Sequence, residues 1–597
     1  MDKYNWDLES LLKGQTIDQL FNHTVKAYKE LIKLYPDFYK SIKNFRNWIK
    51  KLDDIKCLAN RMTNYVNNKH HENLIDPTFL GWRQKISQTF NELSNQMADY
   101  HNVIIKNKNI IRKYLKAPDL KIYSRGFELI FRDEPHTLSP EVEKALDKAS
   151  NADGGVYQAF VTLTDSDLKF KDALDSKKKA HPIKTATDAF IYLKNKDRTL
   201  RKNAWINFHE AYGQYENTLT QTLYYTYLKF NTDAKLYNFK DYVEASAYDD
   251  EVSVEFIKNI YKHVKNFGDI YDAYSKKVKK LLCKQLKIKK LEPWDGAMDL
   301  ASNPVKISIP EAQKLILESF KPLGKEYCTI VKKAFNENWI SWLPKQNKQT
   351  GAYSISGVKG LDKYFILSNY DYSMNGVETI AHELGHSMHS YYSVKNNKED
   401  YCEVAIFYAE IASICVETLL LLYLLDKYKK DQKQVNFYIK RIFDGFFAAT
   451  TRQIIFSNFE YIVNDMINNK KQIDAKTLKD IYLKLIKEYE DLKPKHVKKL
   501  QSEPYNKSLS TILRIPHFYS GEFYVYKYAI GQICGLIMAN KIYQGDTKAR
   551  DQFIKFLSSG SSLSPLETIK ILGIDLNKNQ PYLEAKNILK NLLKRFK

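Results

Sequence analysis

The sequence predicts a mainly α fold with one small β-sheet, on three observations. Apolar residues recur at three- and four-residue spacing along most of the chain, the periodicity of amphipathic helices. Gly (21) and Pro (16) are few for 597 residues, so turn signals are sparse and long helices are favoured. Strand character is confined to one region, 352–370. Hydrophobic residues make up 44% of the chain, which fits a globular protein with a large core rather than a disordered one.

In chain order, helices are expected over 16–35, 78–108, 197–231, 253–283, 310–336, 401–429, 434–468 and 475–490. No internal repeat of solenoid period interrupts them. Two strands, Ala352–Ser356 and Tyr364–Tyr370, flank a turn containing Gly357 and Gly360. Asp371-Tyr-Ser-Met-Asn375 then breaks the second strand. Asn375 is the expected N-cap of the next helix, with Glu378 in the capping-box position. Val377, Ile380, Ala381, Leu384 and Met388 form the buried stripe of that helix, and His382 and His386 lie beside it.

The net charge of +23 raises the question of nucleic acid. The lysines are dispersed among acidic and apolar residues, with no nucleic-acid-binding motif, so a solvated basic surface is expected and no nucleic-acid partner. Such a surface can still draw acidic peptides toward a cleft. The six cysteines (57, 283, 328, 402, 415 and 534) are far apart and form no CxxC pair, which predicts free thiols. The N-terminal residues lack the apolar core of a signal peptide, and the longest apolar run, Leu419–Leu425, is too short to span a bilayer. The expectation is a cytoplasmic protein without membrane contact, a monomer or weak homo-oligomer.

The densest chemistry is His382-Glu383-Leu384-Gly385-His386. On a helix, residues four apart share a face, so both histidines can address one metal ion. Glu383 sits where a general base for a metal-activated water belongs. His is scarce, 13 in the whole chain, which makes an accidental pair at this spacing around a Glu improbable. A zinc site of this kind needs a third protein ligand and an open position. The helix expected over 401–429 offers Glu403, Glu410 and Glu417, seven residues apart and so on roughly one face. Periodicity does not choose among them. The neighbours of Glu410 (Phe407, Tyr408, Ala409, Ile411, Ala412) are unusually apolar, a setting in which a carboxylate requires a counter-charge or a metal.

His382-Glu-Leu-Gly-His-Ser-Met-His-Ser390, followed by Ala409-Glu-Ile-Ala-Ser413, resembles the oligoendopeptidase F branch of the thimet-oligopeptidase-like zinc metallopeptidases. Trp6-Asp-Leu, Asp241-Tyr-Val-Glu-Ala245, Ser558-Ser-Gly-Ser561 and Leu572-Gly-Ile-Asp575 resemble further segments of that branch. The resemblance implies Glu410 as third ligand to one Zn²⁺ with His382 and His386, and Glu403 and Glu417 as supporting or cleft residues. It implies a two-lobed helical metallopeptidase with a deep substrate channel, a helical N-terminal lobe over 1–195 and a catalytic region over 196–597. It also implies that a His and tyrosines of Arg514-Ile-Pro-His517-Phe-Tyr-Ser-Gly-Glu-Phe-Tyr524-Val-Tyr526-Lys-Tyr528 stabilise the oxyanion. His517 takes the His role. Tyr524 and Tyr528, four apart on one helical face, are chosen over Tyr526.

The expected activity is hydrolysis of short unstructured peptides, with Glu383 as general base and the strand 364–370 pairing with extended substrate. His389 is read as a cleft-wall or supporting residue, and His70-His71, without a partner cluster, as surface. The competing reading, a non-catalytic helical peptide-binding protein that keeps the metal site, predicts loss of a catalytic part. None of the parts is missing from the sequence.

Overall fold

The computed structural model describes residues 4–150, 154–298, 300 and 306–597. Helices dominate, and strands occur in two small sheets. The chain forms two compact units, each assembled from three stretches. Unit one takes Met1–Thr137, Pro304–Tyr423 and Cys534–Asp575; unit two takes Leu138–Asn303, Leu424–Ile533 and Leu576–Lys597.

In unit one, the helix Ile17–Leu34 starts at a capping box between Thr16 and Gln19 and packs along Ile42–Glu72. Their shared core includes Leu31, Phe38, Phe45, Trp48, Ile104 and Ile111, all fully buried, with Phe38 stacked on Trp48 at 4.9 Å. A three-stranded sheet follows: β1 (Ile340–Ser341), β2 (Tyr353–Ser354) and β3 (Ile366–Leu367). Its order is β1-β3-β2, with β1 parallel and β2 antiparallel to β3. The extreme N-terminal segment runs beside β1: Asp7 N–H donates to Asn338 O at 2.8 Å, and Trp342 N–H to Tyr4 O at 3.0 Å.

This order corrects one expectation. β3, the strand of 364–370, is central and bonded on both edges, so it offers no edge to a substrate. β2 is the edge strand. β1 has no alternating pattern long enough to be read from sequence.

The helix α1 (Met374–Asn396) begins at Ser373, not at Asn375. Ser373 Oγ accepts from Gly376 N–H at 3.2 Å, while Asp371 accepts from the Ser373 amide and hydroxyl at 3.0 and 2.6 Å. That turn takes the capping role first. The helix α2 (Ala409–Lys427) begins later than the expected 401. Outside partners take the intervening carbonyls: Ser393 Oγ donates to Cys402 O at 2.6 Å and Ser561 N–H to Tyr401 O at 3.0 Å. Tyr408 OH then donates to Gly560 O at 2.7 Å.

In unit two, three long expected helices are each divided by one or two residues, at Tyr215, at Asn266-Phe267 and at Thr450. Such short breaks keep the apolar residues nearly in phase, which is why periodicity reads through them. Asp295, fully buried, pairs with Arg201 at 2.7 Å. Glu460 is also buried, close to Tyr227, Tyr242 and Tyr261, and neither of its oxygens finds a hydrogen-bond partner among the described residues. A two-residue hairpin pairs Ala173–Leu174 with Ala180–His181. The six cysteines are free, and no described helix is long and apolar enough to cross a membrane.

Candidate metal centre

The apolar stripe of α1 seats the motif. Val377, Ile380, Ala381, Leu384 and Met388 are all fully buried, which turns His382 and His386 toward α2. Gly385 lets the two helices meet. A Cβ there would fall 2.6 Å from Ser413 Cα and 2.8 Å from Val416 Cγ2. Gly535 does the same on another side of α2, where a Cβ would lie 2.7 Å from Ile414 Cγ2.

With the backbones that close, His382, His386 and Glu410 each present a ligand atom within 4.8 Å of the others. Glu410 Oε2 lies 3.3 Å from His382 Nε2 and 3.6 Å from His386 Nε2. Ser413 Oγ donates to the same Glu410 oxygen at 2.8 Å and fixes its rotamer. His382 Nδ1 lies 3.0 Å from Glu417 Oε2, so Nδ1–H donates to that carboxylate and Nε2 keeps its lone pair for the centre.

The electrostatics fit a cation. Burial works against charge on His382, yet its hydrogen bonds to Glu410 and Glu417 outweigh burial and hold the imidazole well above its usual range. Two carboxylates on one imidazole are a demand for positive charge. Burial would raise Glu410, but His382, the His386 ring and Ser413 bring it down to about 2. Burial pushes His386 down to about 4, leaving a neutral ring nitrogen able to ligate. With a metal cation in place of the His382 proton, two ring nitrogens and one carboxylate make a zinc-type donor set that leaves coordination positions open.

Glu383, next to His382 in α1, is buried. Burial lifts its carboxyl to about 7, against the His382 charge and a hydrogen bond from the Ser354 backbone. A cavity of about 320 Å³ is lined by the three candidate ligands, Glu383 and the edge-strand stretch 352–357. Ser354 Oγ bonds Ser387 Oγ at 2.9 Å, tying the edge strand to α1. Gly357 allows the chain to pass α1, since a Cβ there would meet Ser390 Cα at 2.8 Å.

Two sequence readings change here. His70 is buried, not at the surface, and His71 Nδ1 bonds Tyr353 OH at 2.7 Å, bracing the edge strand. Glu403 lies outside α2 and is exposed, so it does not share a face with Glu410. His389 lines the cavity, fully buried, with neither ring nitrogen bonded among the described residues.

The second set of expected residues lies in unit two. His517, Tyr524 and Tyr528 cluster there, with ring centroids 5.9 Å (His517–Tyr524), 6.2 Å (His517–Tyr528) and 5.0 Å (Tyr524–Tyr528) apart. Tyr526 faces elsewhere: it is fully buried and donates to Asp250 Oδ2 at 2.6 Å. Asp250 also pairs with buried Lys527 at 2.7 Å. The approach to this helix is constrained as well. Phe523 has φ +42°, and its N–H donates to Tyr242 OH at 2.7 Å. Gly521 has φ +85°, and a Cβ there would meet the Phe230 ring at 2.9 Å.

Asp250, Tyr242 and Ser413 were missed as supporting residues. Only Ser413 carried a signal, the Glu-x-Ala-Ser pattern. Asp250 and Tyr242 are remote in sequence from what they hold.

Comparison with known proteins bears on this geometry. The profile of peptidase family M3 matches residues 191–588, and that of oligopeptidase F matches 107–170. The oligoendopeptidase F homolog of Mycoplasma genitalium is 39% identical, over 99% of this chain and 98% of its own. Oligopeptidase PepF of Bacillus subtilis is 28% identical, over 96% of this chain and 84% of its own. A crystal structure from Chlamydophila abortus matches with TM-score 0.85 at 26% identity, covering 100% of this chain and 98% of that one. The structure of oligoendopeptidase-F from Enterococcus faecium shares the fold, with TM-score 0.71 at 22% identity, over 97% and 99% of the two chains.

Proposed function

The chain belongs to peptidase family M3 and is a metalloendopeptidase, and on that premise we propose that it is zinc-dependent and cleaves short unstructured oligopeptides. The observation that carries the reading is the convergence of His382, His386 and Glu410 on one point, with Glu383 beside them in the same cavity.

In this reading His382, His386 and Glu410 hold one zinc ion, and Glu417 and Ser413 orient two of those ligands. Bound there, zinc supplies Lewis acidity toward a water and a scissile carbonyl. Glu383 takes the proton of the attacking water on its carboxylate and delivers it to the departing amine nitrogen. A carboxyl lifted toward 7 by burial is suited to both halves of that transfer. The edge strand β2 pairs with the main chain of an extended peptide. Main-chain pairing ignores side chains, so broad sequence tolerance follows. His517, Tyr524 and Tyr528 serve as donors to the oxyanion.

The test is a mixed set of quenched peptides, with and without chelator. Chelator-sensitive cleavage of short peptides, with casein left intact, is expected. Glu383→Gln should retain zinc and lose hydrolysis. Undiminished cleavage by Glu383→Gln overturns the general-base role, and no cleavage of any peptide by the wild-type chain overturns the reading.

A further inference from the structure

His389 lies three residues beyond His386 on α1 and lines the cavity of the candidate centre, all of whose lining residues belong to unit one. It is 1% exposed, and neither Nδ1 nor Nε2 finds a hydrogen-bond partner among the described residues. Other polar side chains on the cavity wall are engaged. His382 meets Glu410 and Glu417, Glu410 accepts from Ser413, and Ser354 bonds Ser387. Away from the cavity His389 meets aromatic rings, Phe556 at 5.0 Å and Tyr408 at 6.3 Å between centroids.

A neutral imidazole carries one N–H donor and one acceptor nitrogen. Burying both without partners costs the free protein stability, a cost that Phe or Leu beside the same rings would not incur. The nitrogens therefore call for a bound partner, and the cavity is where one can lie. The torsion about Cβ–Cγ of a histidine is soft, so turning the ring brings a nitrogen to the cavity face.

An extended peptide carries N–H and C=O groups along both of its edges, and pairing with β2 uses one edge. Groups on the other edge need partners once the peptide is enclosed. Three residues of helix span about 4.5 Å, near the ~3.4 Å per residue of an extended peptide. A group that meets His389 therefore belongs to a residue close to the bond held at the metal. We propose that His389 is a substrate-positioning residue, whose ring nitrogens hydrogen-bond a main-chain group of the peptide that β2 leaves unpaired. The proposal rests on the peptidase reading for its ligand class.

The test uses the metal-loaded full-length Glu383→Gln chain and fluorescence anisotropy of labelled short peptides. One sequence is compared with versions carrying an ester in place of each amide in turn, which removes an N–H and weakens a C=O as an acceptor. His389→Phe, introduced into that chain, is expected to keep its zinc and to hold or raise the denaturant midpoint, while binding the all-amide peptide about tenfold more weakly. At one position the ester should weaken binding to the His389 chain and leave binding to His389→Phe unchanged. His389→Asn should recover part of the affinity if Nδ1 makes the bond, and His389→Gln if Nε2 does. If Phe proves too large for the site, His389→Leu is read in its place. Unchanged affinity overturns the proposal, as do ester losses that are the same in both chains. A lower midpoint in both His389→Phe and His389→Leu also overturns it, because the nitrogens then serve the fold. Binding is read without turnover, so failure of the wild-type chain to cleave refutes the peptidase reading separately, and cleavage without these effects refutes the His389 role alone.

Discussion

Glu417 accepts from Nδ1 of His382 at 3.0 Å while Glu410, seven residues earlier on the same helix, meets Nε2 of that ring at 3.3 Å. One imidazole is thus held at both nitrogens by two turns of α2. Glu417 sets the tautomer that frees Nε2 for a metal. Glu417→Ala is expected to lower zinc affinity about 10- to 100-fold with the fold intact, read by competition with a chromophoric chelator. Glu417→Gln, which keeps an acceptor for Nδ1–H, should lose less.

Gly385→Ala tests the helix contact. The new Cβ would collide with Ser413 Cα and Val416 Cγ2, backbone and branched side chain that cannot swing away. A loss of about 1–3 kcal/mol is expected in denaturant unfolding, with zinc content falling as Glu410 is pushed from the histidines.

The tyrosines divide by partner. Tyr526→Phe removes the hydrogen bond to Asp250 and should cost stability of about 1.5–3 kcal/mol, with little change in kcat. Of Tyr524→Phe and Tyr528→Phe, at least one should lower kcat about 100-fold or more with KM nearly unchanged. Steady-state kinetics beside thermal melts separates the two behaviours.

Glu460 gives a pH signature. Burial without a partner holds its carboxyl well above the ordinary 4.5. Below pH 4.5 the group is protonated in both folded and unfolded chains and has no effect. Above it the unfolded chain releases the proton and the folded chain does not, so stability falls by about 1.4 kcal/mol for each pH unit until the folded group also ionises. Glu460→Gln should abolish this slope. The variant is expected to match wild type at pH 4 and to exceed it in denaturant midpoint at pH 8.

The helical fold, the stripe of α1 and the pair His382/His386 were legible because each is written in local spacing. Glu410 was legible from its apolar neighbours and a family pattern, but the seven-residue periodicity also admitted Glu403. The shared face with Glu403 is lost because the carbonyls at 401–402 are claimed by Ser393 and by Ser561, about 160 residues away. The N-cap moved from Asn375 to Ser373 for a short-range reason, the Asp371 turn, which competes for the same role. The central place of β3 was hidden because its partner β1 is only two residues long. Asp250, Tyr242 and His71 hydrogen-bond to segments far away in sequence, and nothing local marks them.

Tyr408, the residue two before the candidate ligand Glu410, is tethered to Gly560, whose backbone sits against Tyr401 so tightly that any Cβ would overlap its carbonyl. The stretch that delivers the third ligand is therefore braced by residues made some 150 codons later. A ribosome-bound chain that has exposed both histidines still lacks this brace. The hydrogen bond that steadies Tyr408 therefore cannot form until Gly560 has been made.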